Sequence, residues 1–208
     1  MLPLTKKNST MTMPSTLANL ASKKLILGSN SPRRQELLRG LGLEFEVRVH
    51  PIEESLPPDL PAAYAAAYLS KLKADAFPGP LEPNEILITA DTVVIDGGKV
   101  LGKPSNELEA FEMLKSLSGT THTVMTAVTL KDHKNSITLE DETEVTFRFL
   151  EEEEIWYYLK QYQPYDKAGS YGIQEWIGFI GVSSLTGSYF TVMGFPLHLV
   201  YQQLKKWV

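Results

Sequence analysis

Two arginines, two lysines and two carboxylates in this chain are of types and in places that could serve one anion. Arg33 and Arg34 follow Gly28-Ser29-Asn30-Ser31-Pro32. Ser31 is a favoured helix N-cap and Pro32 suits the first helical position, so both arginines fall in the first turn of a helix. Cations there oppose the helix dipole, at about 0.3–1 kcal/mol each. The pattern makes sense if an anion docks on the helix N-terminus and meets free backbone N–H groups, the hydroxyls of Ser29 and Ser31, and two guanidinium forks. The plainer reading is a surface helix with solvated arginines.

Asp91, after an apolar run, fits a metal ligand, a general base or a cap for the next turn. Glu54 sits in a proline-rich loop, where a solvated acid is the bland alternative. Lys73 falls in the C-terminal half of a helix, where the dipole alone accounts for it. Lys103, held between Gly102 and Pro104, is harder to explain as generic surface charge. Gln174 also reads as a plain edge residue at a strand start. Collectively the set is what binding a triphosphate with a divalent metal requires, since Mg²⁺ is typically held by one or two carboxylates plus substrate phosphates. The GxxxxGKS/T pattern is absent, which excludes a P-loop. His50, His122, His133 and His198 show no ligand spacing.

The elements that must position these residues follow from periodicity. Lys24 to Leu27 reads as a short buried strand, and the helix after Ser31 stops near Gly40 or Gly42. Glu44 to Val49 alternates as a strand. Ala62 to Phe77 reads as a helix with Tyr64, Ala67, Tyr68, Leu72 and Ala76 on its apolar face. Glu85 to Ala90 reads as a buried strand delivering Asp91 at its end, followed by a hairpin at Asp96-Gly97-Gly98-Lys99. Asn106 to Leu117 is a helix with Leu108, Phe111, Leu114 and Leu117 facing the core, opened by an approximate capping box. Thr121 to Leu130 and Ile137 to Leu150 read as strands, the second placing Phe149 in phase with Val145 and Phe147. A helix opens at Glu151 to Glu154, where acids suit the dipole. The loop from Tyr165 to Gln174 leads into a strand, and Leu197 to Lys206 is the last helix.

The chain has 208 residues, 43% of them hydrophobic, which suits one α/β domain with a proper core. It contains no cysteine, so disulfides and thiolate metal sites are excluded and a reducing, cytoplasmic setting is expected. A net charge of −5 argues against bulk nucleic-acid binding, which needs a basic field. No apolar run approaches the roughly 18 residues of a membrane span. Residues 1–22 lack the apolar core of about 7–15 residues of a signal peptide and contain no arginine. They read as a flexible extension, and residues 23–208 as a single catalytic domain.

Six blocks, in order, carry a family resemblance. They are Ser29-Asn30-Ser31-Pro32-Arg33-Arg34, Ala90-Asp91-Thr92-Val93-Val94, Gly102-Lys103-Pro104, Leu117-Ser118-Gly119, the run Asp166 to Gln174, and Gly187-Ser188-Tyr189. The sequence resembles the Maf family of nucleoside triphosphate pyrophosphatases from about Lys24 to the C-terminus. The resemblance implies a Maf/ITPase-like α/β fold, a twisted mixed sheet with flanking helices in two lobes around a central cleft. It implies hydrolysis of a nucleoside triphosphate to monophosphate and pyrophosphate with Mg²⁺ or Mn²⁺. Asp91 maps to the proton acceptor, Arg33, Thr92 and Gln174 to positions that tune base choice, and Glu54, Lys73 and Lys103 to the other acid and lysines. Asp91 and Glu54 are the carboxylates expected to hold the metal. Asn30 stands where many members have a smaller residue. The Gly-Ile-Gln subgroup acts on dTTP and UTP, and a neutral amide at Gln174 suits a pyrimidine, accepting from N3–H while donating to a carbonyl. A homodimer is expected. Family members are associated with septum inhibition, so the rival reading is a nucleotide-binding regulator of cell division with little turnover and a cell-division partner.

Overall fold

The structure is a computed structural model and describes residues 15–207. Its centre is a seven-stranded mixed sheet ordered β2-β1-β3-β5-β6-β7, with β4 paired to β3. β1 (Lys24–Leu27) lies parallel to β2 (Phe45–Val47) and to β3 (Glu85–Asp96). β3, β5 (Thr121–Lys131), β6 (Ser136–Phe147) and β7 (Val182–Thr186) are successively antiparallel. β4 (Lys99–Leu101) folds back on the end of β3 across the expected hairpin, pairing Asp96 with Lys99.

Helices cover both faces. α1 (Pro32–Gly40), α7 (Leu197–Lys206) and the beginning of β3 share one apolar cluster. α3 (Glu107–Leu117), α4 (Glu152–Tyr162) and α5 (Trp176–Gly181) share a second with Val94, Val124 and Phe147. α2 (Ala65–Asp75) packs on the opposite face through Ala65, Ala66 and Leu69 against Val93 and Ala127. A short α6 (Tyr189–Val192) precedes α7. β3 and β5 are the central strands of the sheet, and their side chains alternate between its two faces.

One relationship makes the cleft. β1 pairs with β3 only over Glu85 to Ile88, and β4 pairs with the same edge only from Val94. Between them, Thr89 to Val93 have no strand neighbour on that edge among the described residues. The last tie is the Gly28 N–H donating to the Ile88 carbonyl at 2.8 Å. The chain then turns away into α1 and leaves the middle of β3 open.

The structure departs from the sequence-based expectations at several points. Asp91 does not end its strand: β3 continues to Asp96 because β5 supports it from Leu87 to Ile95. Asp91 instead lies beyond the end of the shorter neighbour β1. The α2 stripe is out of phase. Tyr64 is 59% and Tyr68 36% exposed, while Ala65, Ala66, Leu69, Ser70 and Ala74 are buried, because small side chains let the helix lie close on the sheet. Residues Ala62–Tyr64 are a 3-10 turn rather than α-helix. Leu108 is exposed and Ala110 takes its place in the core. β6 ends at Phe147, which leaves Phe149 exposed. The loop carrying Gln174 leads first into α5, with β7 following. The extension expected over residues 1–22 is ordered structure at its end: Ser15–Leu20 form a 3-10 helix, Leu17 and Leu20 are buried in the α1–α7 cluster, and the Asn19 amide donates to the Leu204 and Trp207 carbonyls. Residues 1–14 of that expectation lie outside the described residues.

Candidate active site

The open stretch of β3 floors a cleft of about 770 Å³, within the range of small-molecule sites, roughly 300–1,000 Å³. Ser29, Ser31, Arg33 and Arg34 line it from the β1–α1 turn, Asp91 and Thr92 from the floor. Glu54, Lys73, Lys103 and Gln174 line it as well. The fold thus brings every residue singled out in the sequence to one cavity.

Strand alternation divides the cleft into two walls. Asp91 projects toward α2, where its carboxylate meets the Lys73 ammonium in a tight ion pair. The same ammonium lies 2.9 Å from Glu54 Oε1, and Lys103 Nζ reaches Glu54 Oε2 at 3.4 Å. Asp91 is only 7% exposed. Burial opposes the charge of Glu54, but the hydrogen bond and charge of Lys73, with Lys103 behind it, hold its carboxyl below the usual carboxylate range. Two carboxylates and two ammonium groups therefore meet on one wall.

Thr92 projects to the other wall. Its hydroxyl oxygen accepts from Arg34 Nη2 at 3.2 Å. Arg34 also donates from Nη1 to Ser29 Oγ at 3.3 Å and from Nε to the Gly194 carbonyl at 2.9 Å. Burial lowers its pKa from the ordinary value, with Asp91 opposing and Arg33 adding to the effect; from so high a starting point it stays cationic. Arg34 thus has an internal reason to sit in the first helical turn, bracing α1 against β3 and the segment before α7. Ser31 caps α1 as expected, its hydroxyl accepting from the Arg34 N–H at 3.5 Å.

Arg33 points across the cleft, with Nη1 3.6 Å from Asp166 Oδ2. That contact leads into a network the sequence did not disclose. Lys167, 8% exposed, donates to Asp166 Oδ1 at 2.8 Å and pairs with Glu175 Oε1 at 3.2 Å. The Tyr158 hydroxyl donates to Glu175 and accepts from the Gly172 N–H at 3.1 Å. Burial and the Glu175 contact push the Tyr158 phenol up, so it stays a donor. The network clamps Gly172 to Glu175 and so holds Gln174. α5 presses on the same loop: a Cβ at Gly178 would fall 2.0 Å from the Ile173 carbonyl oxygen, so glycine is required there. Asp166 and Lys167 stood inside a motif block, but Tyr158 is an ordinary member of an amphipathic helix and carries no signal.

The donor chemistry suits a hard divalent cation bound together with a substrate. Asp91 and Glu54 bring carboxylate oxygens together at the Lys73 ammonium, and no cluster of three or more His, Cys, Asp or Glu side chains that would make an all-protein site occurs among the described residues. Mg²⁺ and Mn²⁺ sites of this type draw their remaining oxygens from substrate phosphates and water.

Comparison with known proteins shows the family. The Maf-like protein family profile matches residues 24–207. A Phocaeicola vulgatus protein named dTTP/UTP pyrophosphatase is 52% identical over 191 residues, covering 91% of this chain and 99% of its own. A Flavobacterium johnsoniae protein of the same name is 50% identical over 185 residues, covering 89% of this chain and 95% of its own. Among solved structures, the Staphylococcus aureus Ham1 protein aligns with 60% of this chain and 72% of its own at 12% identity and a TM-score of 0.40.

Proposed function

This chain belongs to the Maf family, and from that premise we propose that it hydrolyses dTTP and UTP to the monophosphate and pyrophosphate. The observation that carries the reading is the charged wall of Asp91, Lys73, Glu54 and Lys103 facing the Arg33–Arg34 helix start across one cavity. Relatives about half identical over nearly their whole length and named for that activity support it.

In this reading Lys73, Lys103, Arg33 and the Ser29–Ser31 turn bind the triphosphate, and the unused part of the Arg34 fork faces the same anion. Water attacks the α-phosphorus, the bond to the β-phosphate oxygen breaks, and pyrophosphate leaves against the two lysines. Asp91 takes the proton released by the attacking water. A divalent ion, when bound, would be held by Asp91 and Glu54 and would polarise phosphoryl oxygens. Gln174 meets the base, with Thr92 and Arg33 beside it. The setting is cytoplasmic, consistent with the absence of cysteine, and no described helix is long and apolar enough to cross a membrane. A homodimer belongs to the same proposal, supported by the exposed aromatic rings of Phe149 and Phe179.

Turnover of a panel of nucleoside triphosphates with Mg²⁺ or Mn²⁺, resolving pyrophosphate from orthophosphate, tests this directly. Pyrophosphate from dTTP and UTP in excess of that from purine nucleotides is expected. Tight nucleotide binding with no product would overturn it in favour of a regulator acting through a cell-division partner.

A further inference from the structure

A polar row crosses three strands of the sheet behind Thr92. Thr92 lies opposite Thr126 on β5, and Thr126 opposite Asp141 on β6. α6 closes over the row, with the Thr191 hydroxyl donating to Asp141. Thr126 Oγ1 stands 2.7 Å from the Thr191 carbonyl oxygen and 3.0 Å from Thr92 Oγ1.

The direction of each bond follows from the proton count. A carbonyl only accepts, so the single Thr126 proton goes to Thr191. The Thr92–Thr126 bond then has to use the Thr92 proton. Arg34 Nη2, which only donates, occupies one lone pair of Thr92 Oγ1. Thr126 is wholly buried with its hydroxyl oxygen 2.7 Å from the Thr191 carbonyl oxygen, so turning its proton toward Thr92 would press two lone pairs together with no proton between them. Thr92 therefore lines the cleft with one lone pair free and no proton to give.

We propose that Thr126 is a positioning residue that holds Thr92 as a hydrogen-bond acceptor, so that the site selects a substrate bringing a donor to that point. The inference rests on the pyrophosphatase reading above. UTP and dTTP share two such donors, the base N3–H, in which case Gln174 meets the base by donating to a carbonyl alone, and the sugar 3′-hydroxyl. Cytosine carries a lone pair at N3 in place of the proton.

The test compares kcat/KM for UTP, CTP and 3′-deoxyuridine triphosphate in the intact chain, Thr126→Val and Thr126→Ser. Valine keeps the shape and frees the Thr92 proton, while serine keeps the relay. Thr126→Val is expected to lower the preference for UTP over one of the two analogues about tenfold, the worth of one good hydrogen bond, and Thr126→Ser to retain it. A drop against CTP assigns the donor to the base, and a drop against the deoxy analogue assigns it to the sugar. Unchanged preferences in folded Thr126→Val, or an equal loss in Thr126→Ser, overturn the proposal. Should Thr126→Val fail to fold, Thr126→Cys, a weak donor of similar size, is read the same way, with about a threefold drop expected. An intact chain that turns over none of the three nucleotides sinks the pyrophosphatase reading instead, and the Thr126 preference is then read from their binding affinities.

Discussion

Asp91 and Thr92 are adjacent on β3, yet their side chains serve opposite walls of the cleft. Asp91 meets Lys73 from α2 on one face, and Thr92 meets Arg34 from α1 on the other. The strand's two-residue period makes this separation unavoidable. One dipeptide thereby supplies a charged acid to one side and a fixed polar group to the other.

Asp91→Asn keeps the shape of the side chain and removes its charge and basicity. Under the proposed mechanism kcat for dTTP and UTP falls by about 10²-fold or more, with KM changed far less. Steady-state kinetics on a variant of normal melting behaviour decides this. Near-normal turnover removes Asp91 from the chemistry.

Tyr158→Phe deletes the hydroxyl that bridges Glu175 and the Gly172 N–H. The buried Gly172 N–H loses its partner and the half-buried Glu175 carboxylate loses one of two, at about 1–3 kcal/mol of stability. Because the same bonds hold Gln174, KM for dTTP and UTP is expected to rise several-fold, while kcat moves less. A melting shift without a KM change would make the network purely structural.

Gly194 combines a φ of +98° with a close approach, since a Cβ there would lie 3.0 Å from Thr92 Oγ1. Its carbonyl also accepts from Arg34. Gly194→Ala is expected to cost about 1–3 kcal/mol through backbone strain and to disturb Thr92 and Arg34 together. Thermal or denaturant unfolding measures the first effect, and substrate preference the second. A variant indistinguishable in both would show that the turn relaxes freely.

His122 gives the fold an acid limit. It is 2% exposed among Tyr171 and Phe147, with Nε2 2.8 Å from the Tyr171 hydroxyl and Nδ1 without a partner among the described residues. Burial lowers its pKa from 6.5 to about 4, with Asp96 opposing. Between those values the unfolded chain carries the proton and the folded chain does not, so stability is lost as pH falls below about 6.5 and levels off near 4. The loss from this group is on the order of 3 kcal/mol. Denaturant titrations across that window should show the slope, and His122→Gln should remove it.

Charge and turn chemistry were legible from local pattern. The Gly-Ser turn, the Ser31 cap, the arginine pair and the Gly97-Gly98 hairpin were each readable within a few residues, because such signals are written in backbone sterics and dipoles. Helix faces were less so. In α2 two stripes have the same spacing, and the alanine stripe is buried rather than the tyrosine stripe because the helix must lie close to β3 and β5. Periodicity states that a face exists without saying which one a flat sheet will accept.

By itself the sequence determined that the protein is an α/β chain with a strand–turn–helix built for an anion, an acid on a buried strand and lysines that complete the set, since residue type and short-range spacing decide these. Only the tertiary structure decided that β1 and β4 stop short of each other along β3, opening the cleft between them. It alone joined Lys73 to Asp91 and Glu54, tied Tyr158 to the Gln174 loop, and set the proton direction from Thr92 through Thr126 to Thr191. Those relationships depend on strand register and on which helix covers which face, and both are settled by packing the whole core rather than by any local stretch.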